Sequence, residues 1–227
     1  MLNRADDRLP ARGAVLARFA AALTAAPWSV TPAFAEEFAA EGLDGAAVQA
    51  ATGVVAMFNY LTRVADATGI DFDYASPLPV FQPDRDREPT PRPGREAWPA
   101  VSDEYRTLPA FPDLGPAWLQ WRTHVFDSDE PLTRRERRLL AAAAAQESCD
   151  RTRADSLADT TPGDDRESRL DAFARKLSRQ PWRMTPADLD GLRAAGYPEP
   201  ALLHVISVVA LQNAESRLAM GHALTLR

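Results

Sequence analysis

Apolar residues recur at helical spacing wherever prolines are sparse. Val15, Leu16, Phe19, Ala20 and Leu23 share one face and predict a short amphipathic helix over 14–25, which Pro27-Trp28 ends. Thr31-Pro32 reads as the next start, because a hydroxyl can cap free backbone N–H groups and proline suits the first turn. Gly42 supplies a left-handed stop, and a long helix follows from about Asp44 to Thr68 with Gly69 at its end. At 1.5 Å per residue that helix runs to roughly 37 Å. Trp118, Leu119, Trp121, Val125 and Phe126 give residues 116–126 an aromatic helical face. Thr133 is placed to cap a helix continuing to about Asp159, with Ala141 to Ala145 letting a neighbour approach closely. Thr160-Thr161-Pro162-Gly163 is a turn, and Asp164 or Asp165 opens the final set of helices.

That final set repeats the first. Shifting the chain by 154 positions aligns residues 14–70 with 168–224 without a gap, and eighteen of the fifty-seven positions are identical. The matches include Pro27/Pro181, Trp28/Trp182, Thr31/Thr185, Pro32/Pro186, Gly42/Gly196, Asn59/Asn213 and Arg63/Arg217. The pattern predicts an all-α protein with an internal duplication of a three-helix module, the longest helix last. Three regions follow: an N-terminal module over 1–70, a segment over 71–114, and a C-terminal domain over 115–227.

The middle region is set apart by proline. Ten of the nineteen prolines fall within residues 71–116, a density that forbids regular helix or central strand. Tyr74, Leu78, Val80, Phe81, Trp98, Tyr105, Leu108 and Phe111 make it more apolar than a free linker needs. The expectation is an extended strap across the helical body, loosest over the charged residues 83–97.

Composition narrows the partners. A net charge of −6 and a pI near 5.2 argue against nucleic acid or a membrane surface. No apolar run reaches the roughly 20 residues of a membrane span. Arg4, Arg8 and Arg12 before AVLARFAAALTAA imitate a secretory signal, but the same stretch matches residues 168–190, so it reads as folded protein. The one cysteine, Cys149, excludes an intramolecular disulfide and fits a reducing cytoplasm. His124, His204 and His222 are too scattered in sequence for a metal site, and neither metal nor cofactor is expected.

Beside this reading stands a resemblance. The helix opened by the Arg/Glu-rich turn Leu132 to Leu140, the Ala-rich stretch, DAFARKLSR, the Thr-Pro start and the Ala-Ala-Gly stop resemble the carboxymuconolactone decarboxylase / alkylhydroperoxidase D-like family. The closing helix of that family often reads close to ALFNxxNRxADALG, which AMFNYLTRVADATGI matches better than the second copy does. The resemblance covers about 115–225 as a full domain and 14–70 as an extra closing module. It implies an all-α fold, a helix-lined pocket for a small organic substrate, and assembly as a homo-oligomer.

The catalytic motif departs from the family's Cys-x-x-Cys-x-x-x-His. Cys149 holds the first position, but Thr152 and Ser156 replace the second cysteine and the histidine. The relay glutamate falls at Arg137 or Arg138, with Glu136 the nearest acid and out of register. Thiol peroxidase chemistry needs a thiolate, a resolving thiol and a base, so the disulfide relay is lost. Cys149 and Glu136 remain the catalytic candidates. Arg137 and Arg138 are candidates for an acidic group on a substrate. The pairs Asn59/Arg63 and Asn213/Arg217, each at i,i+4 on an apolar helix, are either helix-to-helix bonds near a pseudo-twofold axis or the polar wall of a pocket. Trp28 and Trp182 read as matching core plugs. The expected function, with the thiol relay lost, is binding or transformation of a small organic molecule, acidic or not, in a helix-lined pocket. A one-cysteine peroxidase and a non-catalytic partner subunit are the alternatives.

Overall fold

The computed structural model describes residues 9–70, 84–106 and 113–225. Among these every regular element is helical, and none is a strand. The α-helices are α1 (Ala11–Ala25), α2 (Pro32–Ala40), α3 (Gly45–Thr68), α4 (Gly115–Asp127), α5 (Arg134–Glu147), α6 (Arg151–Ser156), α7 (Asp165–Arg179), α8 (Pro186–Ala194) and α9 (Glu199–His222). Tight 3-10 turns at Pro27–Ser29 and Pro181–Arg183 follow α1 and α7. The α7–α9 boundaries, turn included, are those of α1–α3 displaced by the same 154 positions that align the sequence.

Local chemistry explains the ends. Asp44 caps α3 by accepting from the Ala47 N–H at 2.8 Å, and Asp164 caps α7 through the Glu167 N–H at 2.7 Å. Gly42, Gly69 and Gly196 all stand at positive φ (68°, 66° and 87°) just past helix ends, where a side chain would be strained. The two Thr-Pro starts differ. Thr31 makes no side-chain capping bond, so proline alone marks that start, whereas Asp188 accepts from the N–H and hydroxyl of Thr185 at 2.8 and 3.0 Å.

The expected helix from Thr133 to Asp159 is broken in two. α5 ends in a Schellman motif: the Cys149 N–H donates to the Gln146 carbonyl at 3.2 Å, and the Asp150 N–H to that of Ala145 at 3.0 Å. Cys149 occupies the left-handed position (φ 55°) that glycine normally takes, so residue type gives no warning of the break. Asp150 then caps α6 through the Arg153 N–H.

α9 is the hub. It is buried along nearly its whole length from Ala201 to His222, as a helix enclosed on all sides must be. One side joins a core with Leu139, Leu140, Leu170, Leu177 and Ala141 to Ala144. Another joins Phe19, Leu23, Phe38 and Val55 through Ala219 and Met220. The N-terminal helices therefore complete their core on the C-terminal region.

The described part of the strap is bonded to the helical body. Arg183 donates to the carbonyls of Arg85, Asp86 and Arg87 at 2.7, 3.1 and 3.1 Å. Arg92 pairs with Glu147 at 3.0 Å, and Trp98 Nε1 donates to the Pro93 carbonyl at 3.1 Å. Residues 84–97, the described part of the stretch 83–97 expected to be loosest, thus lie against α5 and the turn after α7, held largely through their backbone carbonyls. Tyr74, Leu78, Val80, Phe81, Leu108 and Phe111 fall outside the described residues.

Candidate ligand cavity at the seam between the repeated helices

Asn59 and Arg63 project from α3, and Asn213 and Arg217 from α9. All four are buried, at 5, 4, 1 and 3% exposure. Each asparagine donates within its own helical set, Asn59 Nδ2 to Thr24 Oγ1 at 3.0 Å and Asn213 Nδ2 to Ser178 Oγ at 2.8 Å. Each arginine holds its own asparagine, with Arg63 Nη1 2.9 Å and Arg217 Nη1 3.1 Å from the amide oxygens. The second arm crosses over. Arg63 Nη2 donates to the Ser178 carbonyl at 3.0 Å, and Arg217 Nη2 to the Thr24 carbonyl at 2.8 Å. Thr24 and Ser178 are counterparts under the same shift, so the two networks are reciprocal.

Among the described residues, neither guanidinium meets a carboxylate within ion-pair distance. Desolvation pushes Arg63 down to about 10, only partly opposed by Asp66. Arg217 falls well below the usual arginine range through desolvation and the nearby Arg63 charge. The Nε of each is buried and has no partner among the described residues.

Both arginines line a cavity of about 190 Å³. Trp28 and Trp182 form part of its wall and are only half-buried, so they are not the core plugs expected. Arg179 lies over the Trp28 ring at 5.4 Å and Arg87 over the Trp182 ring at 5.8 Å. Trp182 Nε1 is likewise buried without a partner among the described residues. The strap closes one side with Arg87, Pro89 and Thr90. Glu147 is the one carboxylate among the described lining residues, and Arg92, Arg175 and Arg179 surround it at 3.0, 3.1 and 3.9 Å.

Cys149 sits beside this cavity in sequence, next to Ser148, whose hydroxyl donates to Asn213 Oδ1 at 3.3 Å. The thiol is fully buried, and burial pushes it up to about 12 despite Arg92 and Arg179 nearby. A reactive cysteine needs the opposite, an accessible thiol with a lowered pKa. Thr152 accepts from the Val101 N–H at 3.0 Å, and the Ser156 hydroxyl donates to the Arg153 carbonyl at 2.8 Å. At the motif positions these hydroxyls serve the backbone.

The other candidates lie elsewhere. Glu136 is at the opposite end of α5 from Cys149, about 20 Å along the axis. It completes the Thr133 capping box, accepts from the Tyr197 hydroxyl at 3.0 Å and pairs with Arg166 at 3.2 Å. Arg137 is fully buried and donates to the carbonyls of Val125, Glu130 and Leu132 at 2.7, 2.8 and 3.2 Å. Arg138 is exposed and pairs with Asp159 at 3.2 Å. Arg137 and Arg138 line a second cavity of about 280 Å³ with Arg122, Arg134 and Arg153. There each arginine already has a partner: Glu215 for Arg122 at 2.5 Å, Asp129 for Arg134 at 3.3 Å, Gln212 for Arg153 at 3.1 Å.

The structure therefore brings the Asn59/Arg63 and Asn213/Arg217 pairs together at one cavity and separates them from Glu136, Arg137 and Arg138. Glu147, Arg179 and the strap's Arg87 and Thr90 complete the wall without having stood out in the sequence. The repeat could not have flagged Arg179, whose counterpart is Ala25, nor the strap residues, which have no copy. Among the described residues no three of His, Cys, Asp or Glu cluster to hold a metal ion. No single described helix is long and apolar enough to cross a membrane. Comparison with family models, with curated proteins and with solved structures returns no match for this chain.

Proposed function

We propose that this chain is a divergent alkylhydroperoxidase D-like protein that binds or transforms a small organic molecule in the cavity between α1–α3 and α7–α9. The observation that carries this reading is the meeting of the repeated Asn/Arg pairs at one cavity, in a chain whose lone thiol is buried and hard to ionise. Buried charges that the fold does not neutralise are characteristic of binding sites rather than of cores. Disulfide cycling has no place in this function. A fused N-terminal module fits the same reading, since it supplies the second wall of the cavity from within one chain. Residence in the cytoplasm and self-association belong to the proposal, the latter supported by the exposed stripe Val54, Met57, Phe58 and Leu61 on α3.

Ligand-observed NMR with a panel of neutral and acidic organic molecules of about ten non-hydrogen atoms tests it. The expected result is binding that weakens at least tenfold in Trp28→Ala and in Trp182→Ala. Binding that ignores both substitutions, or robust peroxide turnover that vanishes in Cys149→Ala, would overturn the reading.

A further inference from the structure

Three buried donors on residues that line this cavity have nothing to receive them among the described residues: Arg63 Nε, Arg217 Nε and Trp182 Nε1. Indole and guanidinium nitrogens only donate. The carboxylate of the lining, Glu147, is already committed to three other arginines. What these three donors lack, among the described residues, is an acceptor. Negative charge is also short there, because among the described residues neither desolvated guanidinium has a carboxylate within ion-pair distance, and Asp66 only partly offsets the Arg63 charge.

From this we infer that the cavity takes an organic oxoanion, its acceptor oxygens seated on Arg63, Arg217 and Trp182 Nε1 and its apolar body between Trp28 and Trp182. The inference rests on the proposed ligand cavity and specifies its chemistry. A neutral amide or alcohol could accept these hydrogen bonds but would leave the arginine charges uncompensated. A cation would be repelled. Carboxylate and phosphate oxygens both satisfy guanidinium nitrogens, bidentately where geometry allows, and charge-assisted bonds of this kind are about twice as strong as neutral ones. The second cavity offers no such opening, since its arginines are all partnered. The volume of about 190 Å³ suits a compact ligand rather than a polymer.

The test is a thermal-shift and calorimetric titration of the full chain with benzoate, phenyl phosphate and benzamide at constant ionic strength. Benzamide has the shape of benzoate without its charge. Saturable binding of benzoate or phenyl phosphate, with benzamide at least tenfold weaker, is the expected result, and the tighter anion distinguishes carboxylate from phosphate. Arg217→Gln should lose at least tenfold in affinity. Trp182→Phe, which keeps the ring and removes the donor, should lose several-fold with the fold intact. Arg18→Gln, a surface change at the Glu37 pair, should lose nothing. Benzamide binding as tightly as benzoate overturns the oxoanion inference and leaves the cavity reading standing. So does an anion response that survives both Arg217→Gln and Trp182→Phe. Silence toward all three probes overturns the inference, and silence toward the wider organic panel as well removes the cavity reading with it.

Discussion

Arg63 donates to the main-chain carbonyl of Ser178 at 3.0 Å, tying α3 to the end of α7 across the seam between the repeated helices. Arg217 returns the bond to Thr24 at 2.8 Å. Their shared charge has a thermodynamic signature. Removing either arginine relieves the repulsion between them once, so the relief cannot be gained twice. Arg63→Gln and Arg217→Gln together should therefore destabilise more than the sum of the single changes, by about 0.5–3 kcal/mol. Urea denaturation of the four proteins measures this. An additive result would mean that the guanidiniums do not sense each other.

Cys149 should resist thiol reagents in the folded protein and react only as the chain unfolds. Its pH dependence has a definite sign. The folded thiol is raised to about 12 from an ordinary 9.0, so its contribution to stability is complete below about pH 9 and is lost as pH rises toward 12. The fall in stability between about pH 8 and 10.5 should accordingly be shallower in Cys149→Ala than in the wild type. Rapid native labelling, or parallel slopes, would mean that the thiol is exposed or already ionised.

Much of this architecture was legible because the repeat carried it. Helical spacing and the Asp, Thr, Pro and Gly punctuation located both three-helix sets, and retention of Asn59/Arg63 in Asn213/Arg217 marked the seam. The break at Cys149 was invisible, because a non-glycine residue adopts the left-handed conformation and the capping bonds are between main-chain groups. The strap's place in the cavity wall was hidden for a related reason. Arg183 grips the carbonyls of residues 85–87, and a carbonyl has no residue type to read. Arg137 misleads in the other direction. The sequence offers it as an anchor for an acidic group, yet it is buried and gives its donors to the chain around the turn before α5.

Close approach of α3 and α9 depends on Gly221. A Cβ there would come within 3.0 Å of Thr52 Cβ and nearer still to its methyl and hydroxyl, and Thr52 is fully buried with no room to turn away. Gly221→Ala should cost about 1–3 kcal/mol by forcing the helices apart. A parallel Thr52→Ala change in that background should recover part of the loss, as equilibrium unfolding would show.

Glu215 is wholly buried on α9, and Arg122 supplies its ion-pair partner at 2.5 Å. Desolvation raises its carboxyl above the ordinary range, with Arg122 opposing. Taking away Arg122 leaves the carboxylate without its ion-pair partner but still near Arg106 and Arg153, so Arg122→Met should destabilise by about 1–3 kcal/mol. Glu215→Gln, which removes the charge instead, should be milder. Thermal and chemical denaturation would reveal the order, and the reverse ranking would contradict this reading.

The most direct test of the proposed cavity watches its two buried arginines. In ¹⁵N spectra of the side-chain Nε–H groups, Arg63 and Arg217 should give slowly exchanging signals, assigned by their loss in Arg63→Lys and Arg217→Lys. Titration with an organic oxoanion such as benzoate should move both signals along one saturation curve, while the signal of exposed Arg18 stays in place. Two arginine signals that remain unmoved at saturating ligand would contradict the account.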